Sequence, residues 1–174
     1  MKEILSDVSI VGGGLTGLLT AFVLSKEQIP ITLIDKNKFI DQANDKFDFR
    51  TTAISEGSKV FFENIGLWKE IKHNVEPIKK IIVYDRKKPS KIDFENFKKN
   101  NFLGYVIKNS ILKKYLIKFL LTKRNVNLLE NNSLKDVVNL KHSIKIRLNN
   151  KQVFSKLLVA ADGKNSFIRN FYKT

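Results

Sequence analysis

Three glycines and one aspartate near the start of the chain have the types and spacing to do chemistry. Gly12, Gly14 and Gly17 satisfy G-x-G-x-x-G, and Asp35 follows Gly12 by 23 positions. Each glycine in such a turn has its own role. Gly12 permits a tight turn out of a strand, Gly14 lets a pyrophosphate approach the backbone, and Gly17 lets a helix lie close to that strand. The helix beginning at Leu15 then presents free N–H groups and a positive dipole end to the phosphates. A carboxylate only accepts hydrogen bonds, so Asp35 suits the paired hydroxyls of a ribose. Lys36 reads either as an adenine or phosphate contact or as a surface lysine. The pattern implies a dinucleotide without separating FAD from NAD; the plainer alternative is a glycine-rich turn with no ligand.

These residues need elements to hold them, and the surrounding sequence supplies the expected ones. Residues 7–11 read as a short buried strand, 15–26 as an apolar helix with Leu18, Leu19, Phe22 and Val23 at helical spacing, and 31–34 as a second buried strand ending at Asp35. Strand, glycine turn, helix and strand make a βαβ unit, with a right-handed crossover expected. Further on, 39–50 is polar and irregular, and 51–72 is expected to be helical with a break at Gly66 and Trp68 in the core. Residues 78–84 and 91–94 are expected to pair as a hairpin across Lys87-Lys88-Pro89-Ser90. After a strand at 104–107, Asn109 or Ser110 can cap an amphipathic helix to about 121, which places Lys113, Lys114 and Lys118 largely off its apolar stripe. Residues 126–129 read as a third parallel strand, 134–138, 143–148 and 152–154 as a β-meander, and 157–161 as a buried run ending at Asp162-Gly163.

Composition narrows the options. With 174 residues and 43% hydrophobic side chains the chain can bury a real core. It contains no cysteine, which excludes disulfides, thiolate metal sites and dithiol redox chemistry. His73 and His142 have no partner at catalytic or ligand spacing, so both are expected to be structural or solvated, no metal site is expected, and no catalytic residue is assigned. The net charge is +15, and residues 78–125 hold 14 Lys/Arg against 3 Asp/Glu. No recognition motif accompanies these charges, so nucleic acid is not expected as a partner. They read as solvated lysines, or as a face drawn to anionic lipid headgroups. No signal sequence or apolar stretch of membrane-spanning length is present, which places the protein in the cytoplasm, with peripheral contact at the inner face of the membrane as a finer expectation.

Three later stretches carry a family resemblance. Phe47-Asp48-Phe49-Arg50-Thr51-Thr52-Ala53-Ile54-Ser55, followed by Gly57-Ser58, resembles the segment after the second strand in the flavin-dependent hydroxylases of ubiquinone biosynthesis. Leu103-Gly104-Tyr105-Val106-Ile107-Lys108-Asn109 is similar to another stretch of that group. The run from Leu158 to Arg169, centred on Asp162-Gly163, resembles the Asp-Gly motif of the wider para-hydroxybenzoate-hydroxylase-like monooxygenases.

The resemblance implies an α/β fold: a Rossmann-like βαβ FAD-binding domain with a parallel sheet, a β-meander and a small β excursion from a substrate domain. The expected boundaries are 1–75 for the FAD-binding βαβ and following helices, 76–103 for the excursion, and 104–174 for the FAD-binding domain continued. It also implies that Arg50 pairs with cofactor phosphate, that Asp162 contacts ribose and pyrophosphate with Gly163 keeping the backbone open, and that Ser166 and Arg169 fix the motif, Arg169 also being a candidate for NAD(P)H phosphate. The residues alone leave Arg50 open as a structural ion-pair residue, Asp162 as a helix cap and Asn109 as only the cap of its helix. The implied reaction is hydroxylation of a phenolic, prenylated quinone precursor by FAD with NAD(P)H and O2. Two departures stand out: Asp35 occupies a position more often held by glutamate, and the chain stops after the Asp-Gly motif where the family continues. The alternatives are therefore a truncated FAD-binding fragment without activity, or another FAD oxidoreductase of the same fold, such as a prenyl reductase.

Overall fold

The computed structural model describes residues 2–43, 48–85, 90–95 and 102–173. In chain order the elements are β1 (Lys2–Leu5), β2 (Val8–Val11), α1 (Leu15–Lys26), β3 (Ile31–Ile34), α2 (Phe39–Gln42), β4 (Thr51–Ile54), α3 (Glu56–Asn64), α4 (Trp68–Ile71), β5 (Val75–Ile78), β6 (Lys80–Tyr84) and β7 (Lys91–Glu95). There follow β8 (Gly104–Lys108), α5 (Asn109–Leu121), β9 (Val126–Leu129), β10 (Asp136–Asn139), β11 (Ile144–Arg147), β12 (Lys151–Ser155), β13 (Leu157–Ala160) and α6 (Phe167–Tyr172). The chain folds as two compact units, one made of Met1–Asp48 and Lys113–Thr174, the other of Phe49–Leu112.

The first unit is built on a parallel sheet in the order β13-β2-β3-β9. β2 and β3 are buried at every position, as continuous apolar runs between two covered faces require. Ile10, Leu18, Ile31 and Leu33 are fully buried, and each contributes roughly 1.5–3 kcal/mol by leaving water. In α1 only Thr16 and Lys26 are exposed, in keeping with its nearly all-round apolar sequence. β13 differs from the expected buried run: it is an edge strand, and Leu157 is 53% exposed. The meander is present as β10, β11 and β12, but it has a fourth strand, because β1 pairs in parallel with β12. β1 is short and mostly exposed, so no burial pattern marked it. Val11, Ile34 and Leu129 from the parallel strands share a core with Ile146, Leu148 and Val153 of the meander and with Ile168 of α6.

The second unit centres on an antiparallel sheet in the order β4-β8-β5. The expected helix over 51–72 is corrected at its start: residues 51–54 are a strand, registered from Thr51 opposite Lys108 to Ile54 opposite Tyr105. Thr51, Thr52 and Ile54 are β-branched, and long-range pairing with β8 takes them out of the helical reading. Ser55 then caps α3 by accepting from the Ser58 N–H at 3.2 Å. The break at Gly66 is observed, with φ +68°. Trp68 is only half-buried, against the edge of Tyr105; Leu67 and Ile71 are the fully buried neighbours. The single strand expected over 78–84 is instead β5 and β6, interrupted at Lys79. The β6–β7 hairpin forms as expected, with Lys80 opposite Glu95 and Tyr84 opposite Lys91. Of its expected turn, Lys87, Lys88 and Pro89 lie outside the described residues, as does Phe47 of the segment leading to Arg50. Among the described residues no helix is long and apolar enough to cross a membrane.

Candidate dinucleotide site

The carboxyl ends of β2, β3 and β13 converge on a cavity of about 340 Å³ whose lining includes Val11, Gly12, Gly14, Ile34, Asp35, Ala161, Asp162 and Gly163. Open α/β sheets place their ligands at these strand ends, beyond the last hydrogen-bonded residue. Backbone bonds fix the floor: the Gly12 N–H donates to the Ile34 carbonyl at 2.9 Å and the Ala161 N–H to the Val11 carbonyl at 2.7 Å.

The three motif glycines are required for different reasons. At Gly12 φ is +110°, and a Cβ would collide with the backbone of Ala161 and Asp162. At Gly17 a Cβ would fall on the Gly12 carbonyl oxygen, so helix and turn make contact only because that side chain is absent. Gly14 is the opposite case: an added Cβ would meet nothing within 4 Å. The fold leaves that space free, and Gly14 lines the cavity. Gly14 is also the N-cap of α1, and no side chain caps this helix. Its first N–H groups therefore face the turn without a side-chain acceptor, which is the arrangement that receives an anion. Leu15 opens the helix at this point, half-buried. Gly13 is also constrained, since a Cβ there would press on the Phe39 ring and the Asp35 carboxylate.

Asp35 does more than its position predicts. Its carboxylate accepts from the Gly13 N–H at 2.5 Å and from the Asn37 N–H at 2.7 Å. Its backbone N–H donates to the Leu129 carbonyl and its own carbonyl accepts from the Asn132 N–H, both at 2.9 Å. Asp35 thus ties the glycine turn to the strand ends, and each carboxylate oxygen keeps a further lone pair for a ligand hydroxyl. Lys36 is exposed and also lines the cavity.

Of the two roles left open for Asp162, the helix cap is present. One oxygen, Oδ2, caps α6 by accepting from the N–H groups of Phe167 at 2.8 Å and Ile168 at 3.3 Å. The other, Oδ1, is buried and has no hydrogen-bond partner among the described residues, although the residue lines the cavity. A buried carboxylate oxygen without a donor is unfavourable by itself, and a ligand hydroxyl is the kind of donor that would satisfy it. Ser166 accepts from the Arg169 N–H at 3.0 Å, and the Arg169 guanidinium donates to the Lys164 carbonyl, so both residues shape the Asp-Gly loop. Gly163 has φ +84° and lines the cavity. Open Gly14, uncapped α1 and the unpaired Asp162 Oδ1 together fit the phosphates and ribose of a dinucleotide.

Arg50 and Asn109 belong to the second unit. Arg50 is exposed, and its carbonyl accepts from the Asn109 N–H at 3.0 Å. Asn109 is buried and its Oδ1 accepts from Thr52 Oγ1 at 2.6 Å, a contact absent from the reading of Asn109 as only a cap. Lys113 corrects an expectation: it is buried, with its ammonium 2.8 Å from the buried Asp48 carboxylate. Helical spacing registers the apolar stripe and is blind to a paired charge inside it. His73 and His142 are exposed, and no group of metal-binding side chains occurs among the described residues. Residue types and spacing did not point to Asn132, Ser133, Leu134, Asn165 and Phe167, which complete the cavity wall. A usable signal existed for the first three, since they follow β9, the third parallel strand.

The family model described as FAD binding domain matches residues 6–173. The chain belongs to that family, and the dinucleotide is FAD. Ubiquinone hydroxylase UbiM of Neisseria meningitidis is 25% identical over 171 residues, covering 94% of this chain and 37% of the relative. Ubiquinone biosynthesis monooxygenase COQ6 of Dictyostelium discoideum is 25% identical over 97% of this chain and 39% of its own length. The chain thus spans under two fifths of these curated relatives. Two solved structures share the fold: p-nitrophenol 4-monooxygenase PnpA of Pseudomonas putida, with TM-score 0.79 and 17% identity over 97% of this chain and 43% of that one, and the flavin-dependent monooxygenase PieE in complex with FAD and substrate, with TM-score 0.80 and 16% identity over 99% and 33%.

Proposed function

We propose that this chain is the cofactor-holding part of a flavin-dependent monooxygenase that hydroxylates a phenolic ring, a prenylated quinone precursor, using NAD(P)H and O2. The observation that carries the reading is the cavity at the carboxyl ends of β2, β3 and β13, with an open Gly14 and an unpaired Asp162 oxygen. The names of the relatives and the three resembling stretches support the reaction and the substrate class.

In this reading Gly12, Gly14, Leu15 and Gly17 seat the pyrophosphate on the α1 N-terminus, and Asp35 with Asp162 takes the ribose hydroxyls. Gly163 lets the backbone approach, and Lys36 stands at the adenine side. Arg50 supplies positive charge to the pyrophosphate and Asn109 a polar contact. FAD, when bound, supplies the redox chemistry; these residues bind and orient it. Residues 76–103 form the first excursion of the substrate domain. Ile82, Val83, Ile92 and Phe94 of the β6–β7 hairpin are exposed, as expected of strands that take cover from further substrate-domain structure. The protein works in the cytoplasm, with its basic surface drawn to the inner face of the membrane, where a lipidic substrate resides.

The test is to purify the whole protein that carries this sequence, record its visible spectrum, and follow NAD(P)H oxidation with and without prenylated phenols. Bound flavin and substrate-stimulated oxidation with a hydroxylated product are expected. A protein that retains no flavin, or one that reduces polyprenyl chains and ignores phenols, defeats the proposal.

A further inference from the structure

Gly13, the middle residue of the glycine turn, has no left-handed φ that would call for glycine. What excludes a side chain there is its surroundings. A Cβ on Gly13 would stand 2.6 Å from Phe39 Cε1 and 3.0 Å from Asp35 Oδ2. Phe39 is 3% exposed, whereas its neighbour Ile40 is 74% exposed. The buried ring thus lies against the backbone of the turn, and the Asp35 carboxylate accepts from the Gly13 N–H at 2.5 Å. Ring and carboxylate together grip the middle of the turn.

Phe39 is in turn held from the loop that follows β9. Its N–H donates to Glu130 Oε2 at 3.1 Å, and at the other end of the segment the Asp35 carbonyl accepts from the Asn132 N–H at 2.9 Å. Residues 35–39 are thereby fastened to residues 130–132 at both ends, and Asn132 Nδ2 stiffens that loop by donating to the Glu130 carbonyl at 2.6 Å. Glu130 is exposed and water could satisfy its carboxylate, so the consequence of its bond is where it places Phe39. The cavity wall includes none of Phe39, Gly13 and Glu130. We propose that Phe39, anchored by Glu130, is a positioning residue that holds the Gly12–Gly14 turn in its pyrophosphate-receiving shape before the cofactor arrives. A turn that visits that shape only part of the time binds with an affinity lowered by that fraction. The inference rests on the reading of the turn and the α1 N-terminus as the pyrophosphate seat.

The test uses the whole protein stripped of flavin. Thermal unfolding is followed without cofactor, and FAD is added back with fluorescence quenching for the Kd and stopped flow for the rates. Phe39→Ala is expected to raise the FAD Kd about tenfold at temperatures where the stripped protein is folded. The loss should lie in slower association, with dissociation changed less than about twofold, because bound cofactor holds the turn itself. Glu130→Ala is expected to raise the Kd about fivefold, whereas Glu130→Gln keeps an oxygen for the Phe39 N–H and should stay within about twofold of wild type. Gly13→Ala is expected to weaken binding about tenfold alone and to add less than about twofold to Phe39→Ala, since methyl group and ring compete for one space.

An unchanged Kd in folded Phe39→Ala, a loss carried wholly by dissociation, a Glu130→Gln protein as weak as Glu130→Ala, or full multiplication of the Gly13 and Phe39 effects each overturns the positioning role. Phe39→Leu carries the comparison if Phe39→Ala does not fold; if neither folds, the ring serves the core alone and the proposal is overturned. A Gly14→Ala protein with unchanged Kd overturns the pyrophosphate seat and the proposal with it, whereas a wild-type protein that binds no FAD overturns the cofactor reading itself.

Discussion

The glycine turn of the first unit and the β6–β7 hairpin of the second are both short stretches joined to strands, but they are held by different forces. Around Gly12 and Gly17 backbone meets backbone, so position is set by excluded volume and by bonds such as Gly12 N–H to Ile34 carbonyl. In the hairpin every described residue is exposed, and its side-chain links are surface ion pairs such as Lys80 to Asp93 at 3.2 Å. A site assembled by backbone contact is rigid and tolerates little; a pair of strands held by screened charges tolerates a great deal. The contrast fits a cofactor platform in one place and, in the proposed reading, an incomplete piece of a substrate sheet in the other.

Gly17 offers the severest trial of that contrast. Gly17→Ala puts a methyl group on the Gly12 carbonyl, and about 2–3 kcal/mol of stability is expected to be lost together with flavin retention, read by urea unfolding and by visible absorbance after gel filtration. Gly14→Ala isolates the cofactor effect, because the added methyl group meets no protein atom within 4 Å. Its stability should stay within about 1 kcal/mol of wild type while the FAD Kd rises about tenfold or more; a weakened fold with normal FAD binding would contradict the role given to the open space. Asp162→Ala removes a cap and a ligand acceptor together, and a loss of about 1 kcal/mol in stability with weaker FAD binding is expected. If denaturation shifts and FAD titration does not, the unpaired Oδ1 has another purpose.

The smallest effects belong to the hairpin. Lys80→Met is expected to move the melting temperature by less than about 1 °C, since exposed pairs contribute little. The hydrogen bond to Asp93, chiefly, holds the Lys80 ammonium above its ordinary pKa of 10.5. Whatever stabilisation it gives is thus fully present below pH 10.5 and fades as the pH rises through the raised value. Hydrogen exchange across β6 and β7, corrected for its intrinsic pH dependence, should show constant protection from neutral pH up to that point, and a loss of protection well below it would point to a different titrating group.

The local elements were legible wherever a short-range pattern dictated them. Apolar runs of strand length gave β2, β3 and β9, continuous apolar spacing gave α1, and Gly66 marked the break between helices. Residues 51–54 were misread because their pairing partner, β8, lies some fifty residues further along, at 104–108, and β1 was missed because its strand pairing is with β12 and its own residues are mostly exposed. Non-local hydrogen bonding overrides local preference in both cases.

The same division runs through the site. The glycine turn and the acid at Asp35 could be read from residue types and spacing alone, because a pyrophosphate on a helix N-terminus demands particular residues at particular intervals, whereas the Asp-Gly loop was marked by its family resemblance. It took the folded chain to reveal that Asp35 also braces Gly13, that Asp162 caps a helix with one oxygen and leaves the other buried without a partner, and that Lys113 is buried against Asp48. Spacing along a chain fixes which groups are present and roughly which way a helix or strand points them. Which of those groups share a hydrogen bond depends on approaches between distant segments, which exist only once the core has brought them together.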